Sequence, residues 1–585
     1  MTSRSVSLAL ALTLASAAAV PATAQDARRE ALVRDAVARY EAERLSAGNP
    51  AEPVASALQV TGVRELRLMD AVELALRQNL DIAVERLTPQ ASDFQIAGLR
   101  NSYRPLASSA LGVRSQVNPA TNQLVGGNRV TNETATYNFG VTQEVPWGGG
   151  NFSLTFNNNR LATSNLFANF NPTFTSSLTA TYVQPLLRNF GIDNIRQQIS
   201  IAQINRDIGN ESLRATIAQT IANVRNAYWE LAYAKAAAEV AQRSLDLAQK
   251  LVEDNQARVE VGTLAPIDVV QAEAEAANRR QTVAQADATL ATAQLSLKRL
   301  VVTGTEDPLW TQELLAVDVP QLDAPPLDVA AAVGAALEKR TDLVTARKNL
   351  DSNDITLRFW QNQTRPQVDL NLIYGAQGIG GTQFTRAPGA PVGSPPTGTI
   401  PGGYTDALGL LRARDFPTWN AALTVSYPIG GNNAEGQFAR TRVLRTQQTT
   451  RLRVLELQIA TEVTNAALQV QANVRRVEAA RAARAFAERR LEAEQSKFEV
   501  GLSTNFFVVQ AQRDLADAQN VELRTLTDLQ RALVNFERSQ EAPAGGGGNF
   551  NTGNLNIGVN GNVGGQNGQF NQGGQFNQGG PGGGN

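Results

Sequence analysis

The stretch Leu68-x-x-Ala71-Val72-x-x-Ala75-Leu76-x-x-Asn79-x-Asp81-Ile82 occurs twice, the second time as Val329-x-x-Ala332-Val333-x-x-Ala336-Leu337-x-x-Arg340-x-Asp342-Leu343. The offset from Ala75 to Ala336 is 261, and at that same offset Arg104-Pro105 falls on Arg365-Pro366 without a gap. Such self-similarity marks a duplicated architecture and governs every later assignment. A second pair of segments repeats at an offset of 239. Val259-Glu260-Val261-Gly262, followed by Val269-Val270-Gln271-Ala272, mirrors Phe498-Glu499-Val500-Gly501, followed by Val508-Val509-Gln510-Ala511. The first half therefore holds a net 22 residues more between its Arg-Pro and its glycine.

Each half reads as a helix, then strands, then a very long helical hairpin. From Gln437 to Phe498 there is no Pro or Gly, and Ala, Arg, Glu, Gln and Leu dominate. This sustains about 60 helical residues, or roughly 93 Å at 1.5 Å each. Leu452, Leu455, Ile459, Val463, Ala466, Val470, Val474 and Val477 follow spacings of three and four that close on an 11-residue period. Leu213, Ile217, Ile221, Val224, Tyr228 and Ala232 do the same in the first half. That period predicts nearly straight or slightly right-handed staves rather than a tight left-handed rope. Gly262 and Gly501 suit the left-handed residue just past a helix end, and Pro266 suits the first turn of the next helix. Both motifs predict sharp helix reversals, which turn chemistry alone does not separate from ordinary hairpin turns.

Between the Arg-Pro pairs and the rods the period changes to two. Ala135, Tyr137, Phe139 and Val141 alternate with polar residues, as do Phe152, Leu154 and Phe156; Leu178, Ala180 and Tyr182; Val368, Leu370, Leu372 and Tyr374; and Trp419, Ala421, Leu423, Val425 and Tyr427. Each predicts a strand with one apolar face. Tyr137, Trp147, Tyr182, Tyr374, Trp419 and Tyr427 suit the aromatic girdles of a membrane barrel. A soluble sandwich with its apolar face inward fits the same alternation. Val145-Pro146-Trp147-Gly148-Gly149-Gly150 predicts a tight turn, whereas 117–133 and 376–417 read as long outer loops. The 22-residue excess predicts an extra strand pair over 151–184, giving six strand-like segments instead of four.

Composition narrows the chemistry. At 585 residues the chain is too long for one ordinary core. Lys+Arg 53 against Asp+Glu 54 leaves a net charge of -1, without the basic footprint that nucleic acid requires. Zero His and zero Cys remove the Ser-His-Asp and Cys-His nucleophiles and the imidazole and thiolate metal sites. A carboxylate hydrolase survives this filter, but the charged residues sit at helical spacings that suit solvated salt pairs. No catalytic residue, cofactor or metal is expected. Arg4, the apolar run Val6 to Val20, Pro21 and the small-x-small site Ala22-Thr23-Ala24 read as a secretory signal over 1–24. No other stretch approaches 18 uninterrupted apolar residues, so membrane insertion would have to use strands. Residues 25–60 form a charged extension, and 542–585 a Gly/Asn/Gln-rich tail expected to be disordered.

The duplicated Ala-Leu-x-x-Asn-x-Asp helix, the Arg-Pro before the strands of each half, the run Tyr182-Val183-Gln184-Pro185-Leu186-Leu187-Arg188-Asn189-Phe190-Gly191 and the paired Val-Gly reversals together resemble the TolC-type outer-membrane efflux and secretion channels. The resemblance covers about residues 61 to 541. It implies a mainly α fold with a transmembrane β-barrel portion, in which long antiparallel helical hairpins form a trimeric α-barrel tunnel joined to a shared outer-membrane barrel. The repeats would be 61–305 and 306–541. It implies a passive exit duct for a tripartite efflux pump or type I secretion system, located in the outer membrane with its tunnel in the periplasm. The partners would be two further copies, a periplasmic adaptor and, through it, an inner-membrane transporter of RND or ABC type. The family's adaptor-contacting tip maps onto Val261, Gly262, Thr263, Val500, Gly501, Leu502 and Ser503. Asp268 falls on an acidic tip position. The constricting aspartates fall at Phe507 and Gln510, so that acidic ring is absent, and Phe507 implies an apolar constriction instead. The Tyr and Arg latch positions fall at Phe498 and Ser503, which cannot form the same charge-assisted links. The alternative is a soluble elongated periplasmic scaffold. Six strands per copy would make eighteen in a trimer against twelve in the simple form, unless the extra pair caps the rim.

Overall fold

The computed structural model describes residues 62–120, 128–320, 322, 326–389, 394 and 396–543. The expected signal, the charged extension and the tail from 544 onward lie outside these residues. A short strand β1 (Val63–Leu66) leads into helices α1 (Leu68–Gln78) and α2 (Leu80–Arg100). Four long strands follow: β2 (Leu106–Pro119), β3 (Arg129–Glu144), β4 (Asn151–Thr163) and β5 (Phe170–Pro185). Helix α3 (Asn194–Glu260) and helix α4 (Pro266–Val301) form the first hairpin, and the one-turn α5 (Pro308–Thr311) and β6 (Glu313–Ala316) follow it. The second half repeats the order. It comprises α6 (Val329–Lys339), α7 (Thr341–Gln363), β7 (Gln367–Thr385), the three-residue β8 (Gly398–Ile400), α8 (Tyr404–Ala413), β9 (Pro417–Ser426), α9 (Asn433–Glu499) and α10 (Asn505–Glu541).

The rods begin at side-chain caps. Asp193 accepts from the Arg196 N–H at 2.7 Å at the start of α3, and Asn432 accepts from Ala434 N–H at 2.9 Å at the start of α9. Both rods run 67 residues, roughly 100 Å. Neither α4 nor α2 matches that length alone; both pack along α3, as α10 and α7 pack along α9. Cores form near the Asn79 and Arg340 junctions. In the first half Val224, Tyr228 and Leu231 of α3 meet Leu297 and Val301 of α4 and Ala71 and Ala75 of α1. In the second half Val463, Ala467 and Val470 of α9 meet Leu529 and Phe536 of α10 and Ala332 and Ala336 of α6. Of these buried residues, Val224, Tyr228, Val463 and Val470 are positions of the 11-residue spacing. α10 also packs along α3, and Arg524 and Arg531 both reach Glu230, at 2.8 and 3.0 Å, so the two hairpins stand side by side. No helix among the described residues is long and apolar enough to cross a membrane.

The long strands form one antiparallel sheet in the order β2-β3-β4-β5-β7-β9, with β8 attached to β7, while β1 and β6 pair in parallel near the first core. Two expectations about the connections are corrected. The polar stretch 117–133 is strand at both ends: β2 runs to Pro119 and β3 starts at Arg129, and residues 121–127 between them are not described. The segment 376–417 is not one long loop. β7 continues to Thr385, and α8 folds back against β7. Its backbone approaches so closely that a Cβ on Gly378 would lie 1.9 Å from the Ala407 carbonyl oxygen. Gly and Thr content hides this strand from a reading by apolar alternation.

Candidate functional site

The hairpin ends carry most of the residues singled out by sequence, and they are built alike. Gly262 and Gly501 sit at φ +77° and +78°. Gly262 N–H donates to the Val259 carbonyl at 2.9 Å and Thr263 N–H to the Arg258 carbonyl at 2.9 Å. Gly501 N–H donates to Phe498 at 3.2 Å and Leu502 N–H to Lys497 at 2.8 Å, the same pattern one repeat later. This is the Schellman closure, which uses a left-handed glycine to satisfy the last helical carbonyls. With the backbone thus occupied, Val261, Val500 and Leu502 project at the turns, 73%, 70% and 80% exposed. Thr263 is also exposed, its hydroxyl donating to the Arg258 carbonyl at 3.0 Å. Ser503 is half-buried and donates to Glu494 Oε2 at 2.8 Å. The Lys497 ammonium and this hydroxyl hold the half-buried Glu494 carboxyl below its ordinary range.

The structure brings some candidates together and separates others. The carbonyl of Asp268, rather than its carboxylate, joins the hairpins: Asn255 Nδ2 approaches it at 3.5 Å and Asn505 Nδ2 at 3.3 Å. Phe507 occupies in α10 the position that Asp268 has in α4. It is half exposed and stacks edge-on with Phe506 at 5.6 Å between centroids. Gln510 donates to Asp514 within its own helix at 2.8 Å. Phe498 is buried with Leu251 and Val508, and the Arg258 guanidinium lies 4.6 Å from its ring centroid. A link between the hairpins therefore exists at this position, made by a cation over a ring face.

The strongest electrostatic link near the tips was not singled out by sequence. Glu275 of α4 is buried to 4% exposure and is bracketed by Arg279, Nε at 2.8 Å, and by Arg513 of α10, whose Nε lies 3.1 Å from Oε2. Burial pushes this carboxyl upward, but the hydrogen bonds and charges of Arg513 and Arg279 outweigh it and hold it below the usual carboxylate range. The Glu275–Arg279 spacing of four is legible on a helix. Arg513 is not, because its partner belongs to the other half.

At the far end the sheet offers two contrasting faces. One row of facing residues reads Ala107, Val141, Leu154, Ala180, Tyr374 and Trp419 across all six long strands. The adjacent row, on the opposite face, reads Ser108, Gly140, Thr155, Thr179, Gly375 and Thr418. The apolar face ends where Tyr137, Asn158, Ser176 and Gly378 come into line. There α8 covers it, and Tyr404 donates its hydroxyl to Asn158 Oδ1 at 2.8 Å. Among the described residues no group of acidic side chains is gathered that could hold a metal ion.

Comparison with known proteins agrees with this architecture. The family model described as outer membrane efflux protein matches residues 151–302 and 332–539, more than half of the chain. The fold is similar to that of the Campylobacter jejuni CmeC outer membrane channel, with 12% identity, TM-score 0.57 and coverage of 81% of this chain and 85% of that one. It is similar to the outer membrane protein VceC of Vibrio cholerae, with 16% identity, TM-score 0.56 and coverage of 81% and 95%. It is also similar to the Neisseria gonorrhoeae MtrE outer membrane channel, with 15% identity, TM-score 0.54 and coverage of 84% and 93%. No curated protein matches the chain.

Proposed function

Because the chain belongs to the outer membrane efflux protein family, whose members are the outer-membrane channels of efflux pumps, we propose that three copies assemble into one passive duct. In this reading strands from each copy join as a barrel in the outer membrane and the 67-residue rods continue the duct through the periplasm. The observation that carries it is the pair of adjacent rows, one apolar and one hydroxyl- and glycine-rich, running through every long strand. An open sheet cannot lie in lipid with unpaired edges, so membrane use requires closure, with the apolar face outward and the polar face lining water.

The reading extends to the tips. The exposed Val261, Thr263, Val500 and Leu502, shaped by Gly262 and Gly501, form the surface offered to a periplasmic adaptor, and an inner-membrane pump of RND or ABC type engages through that adaptor. Asp268, Phe507 and Gln510 line the narrowest part, where Phe507 rings gate by excluding water rather than by binding cations. The repeats 61–305 and 306–541 act as paired staves. The role is transport and not catalysis: no step of it needs a bond made or broken.

The test is fractionation and reconstitution. The mature chain is expected in outer-membrane fractions, soluble only in detergent, and conducting in planar bilayers. A product that purifies without detergent and does not conduct would favour the soluble scaffold instead. Phe507→Asp is expected to make the current sensitive to divalent cations; unchanged sensitivity would remove Phe507 from the pore.

A further inference from the structure

The sheet has two edges, and both are long. β2 is exposed along nearly its whole length, and so is β9, whereas the four strands between them are half-buried or better over most of theirs. Unpaired edges of this length invite pairing with another chain. The strands from Asn151 to Pro185 are not an appendage at the rim. β4 pairs with β3 from Glu144↔Asn151 to Asn132↔Thr163, and β5 pairs with β7 from Pro185↔Asp369 up to Phe170↔Gln383. The apolar row from Ala107 to Trp419 crosses this pair without interruption, with Leu154 and Ala180 supplying its two central members. A hairpin folded away from the wall would leave β3 and β7 to pair directly, and their rows would then lack those two residues.

From this continuity we infer that the partner of the β2 edge is the β9 edge of a second copy of this chain, and that each copy contributes six staves, so that the three-copy wall has eighteen. The inference rests on the three-copy duct proposed above. Barrel diameter grows roughly in proportion to strand number, so this wall is about 1.5 times as wide as one built from four staves per copy. The rods do not widen with it. Each copy still supplies two hairpins, so the duct flares toward the outside. The hydroxyl-rich row makes the flared section a broad, weakly charged vestibule that admits solutes too bulky for a twelve-stranded wall.

Native mass spectrometry of the detergent-purified full-length chain gives the copy number, and electron cryomicroscopy of the same particles counts the strands. Neutral polyethylene glycols of graded size, added to the outer side of a bilayer, size the vestibule. Three copies with eighteen strands, and entry of polymers about 1.5-fold larger in radius than a twelve-stranded bore admits, are the expected results. Three copies with twelve strands, the 151–185 pair lying outside the wall, would overturn the inference and leave the duct standing. Two copies closing twelve strands would overturn it together with the three-copy assembly. A detergent-free monomer would overturn the duct itself.

Discussion

The two halves of the chain carry matched helices and unmatched walls. The helices run 11 residues against 11, 21 against 23, 67 against 67 and 36 against 37. Between them the first half places four long strands and the second only two. The difference shows which lengths are coupled. A rod must begin and end level with the rods beside it, because its apolar stripe is buried only where a neighbour runs alongside, so an insertion in one half would strand unburied surface in the other. A sheet of up-and-down strands accepts a hairpin between two others and returns the chain to the same end. Strand number can therefore change by two while the helices stay equal.

The junctions where α1 meets α2 and α6 meets α7 are matched in geometry but not in charge. Asn79 donates to the Leu300 carbonyl at 3.0 Å, and its counterpart Arg340 donates to the Ser539 carbonyl at 3.0 Å, one repeat later in both partners. The contact is conserved between halves while the chemistry is not. Asn79 is a neutral cap that accepts from Asp81 N–H and Ile82 N–H. Arg340 is a 1% exposed cation bonded to Asp342 and to Glu462, the latter at 2.5 Å. Burial raises the Asp342 carboxyl and outweighs the opposing charge of Arg340.

Arg340→Ala is the substitution expected to separate the halves most. It leaves two carboxylates without their buried partner, a loss of about 3–5 kcal/mol by analogy with broken buried pairs. A thermal unfolding midpoint unchanged in this variant would break the argument that the junction depends on that cation. Next is Glu275→Gln, which removes charged hydrogen bonds between α4 and Arg513, at about 2 kcal/mol. The wild-type carboxyl sits below its unfolded value, so its contribution is full above the ordinary glutamate range and fades as pH falls through the lowered value. Amide protection near Glu275, corrected for the intrinsic exchange rate at each pH, should therefore fall on acidification in the wild type, whereas the Gln variant should be less protected at neutral pH and show little of that pH step; an equal step in both would exclude the link. Asn79→Ala is expected to cost about 1 kcal/mol as a lost cap, well short of Arg340→Ala. Smallest are Gly262→Ala and Gly501→Ala, each about 1 kcal/mol or somewhat less from the left-handed backbone alone. The two should match, since the turns share one geometry; unequal melting shifts would show that the tips are energetically distinct.

Much of the helical framework was legible in local pattern. A Pro- and Gly-free run from Gln437 with apolar residues every third or fourth position can bury its stripe only as a long rod, and Ile459, Val463, Val470 and Val477 are indeed fully buried. The alternation through Leu370, Leu372 and Tyr374 likewise marked a strand. The upper part of β7 was not legible, because Gly375, Gly378, Gly380 and Gly381 break the alternation, and two of them are there to admit the backbone of α8. Nor was the cation over Phe498 legible: Arg258 lies 240 residues away in the other hairpin. Pairings of this kind leave no local period to read.

The amino-acid order alone carried the duplication, the long rods, the glycine reversals and the two-faced strands. These depend on contacts within a few turns or on side-chain periodicity, which the chain carries wherever it folds. Long-range packing settled that the extra strand pair stands inside the sheet, that α8 covers the end of its apolar face, and that Glu275 answers to Arg513. Each depends on which distant segments meet, and that is set by the combined burial of many weak contacts rather than by any one motif.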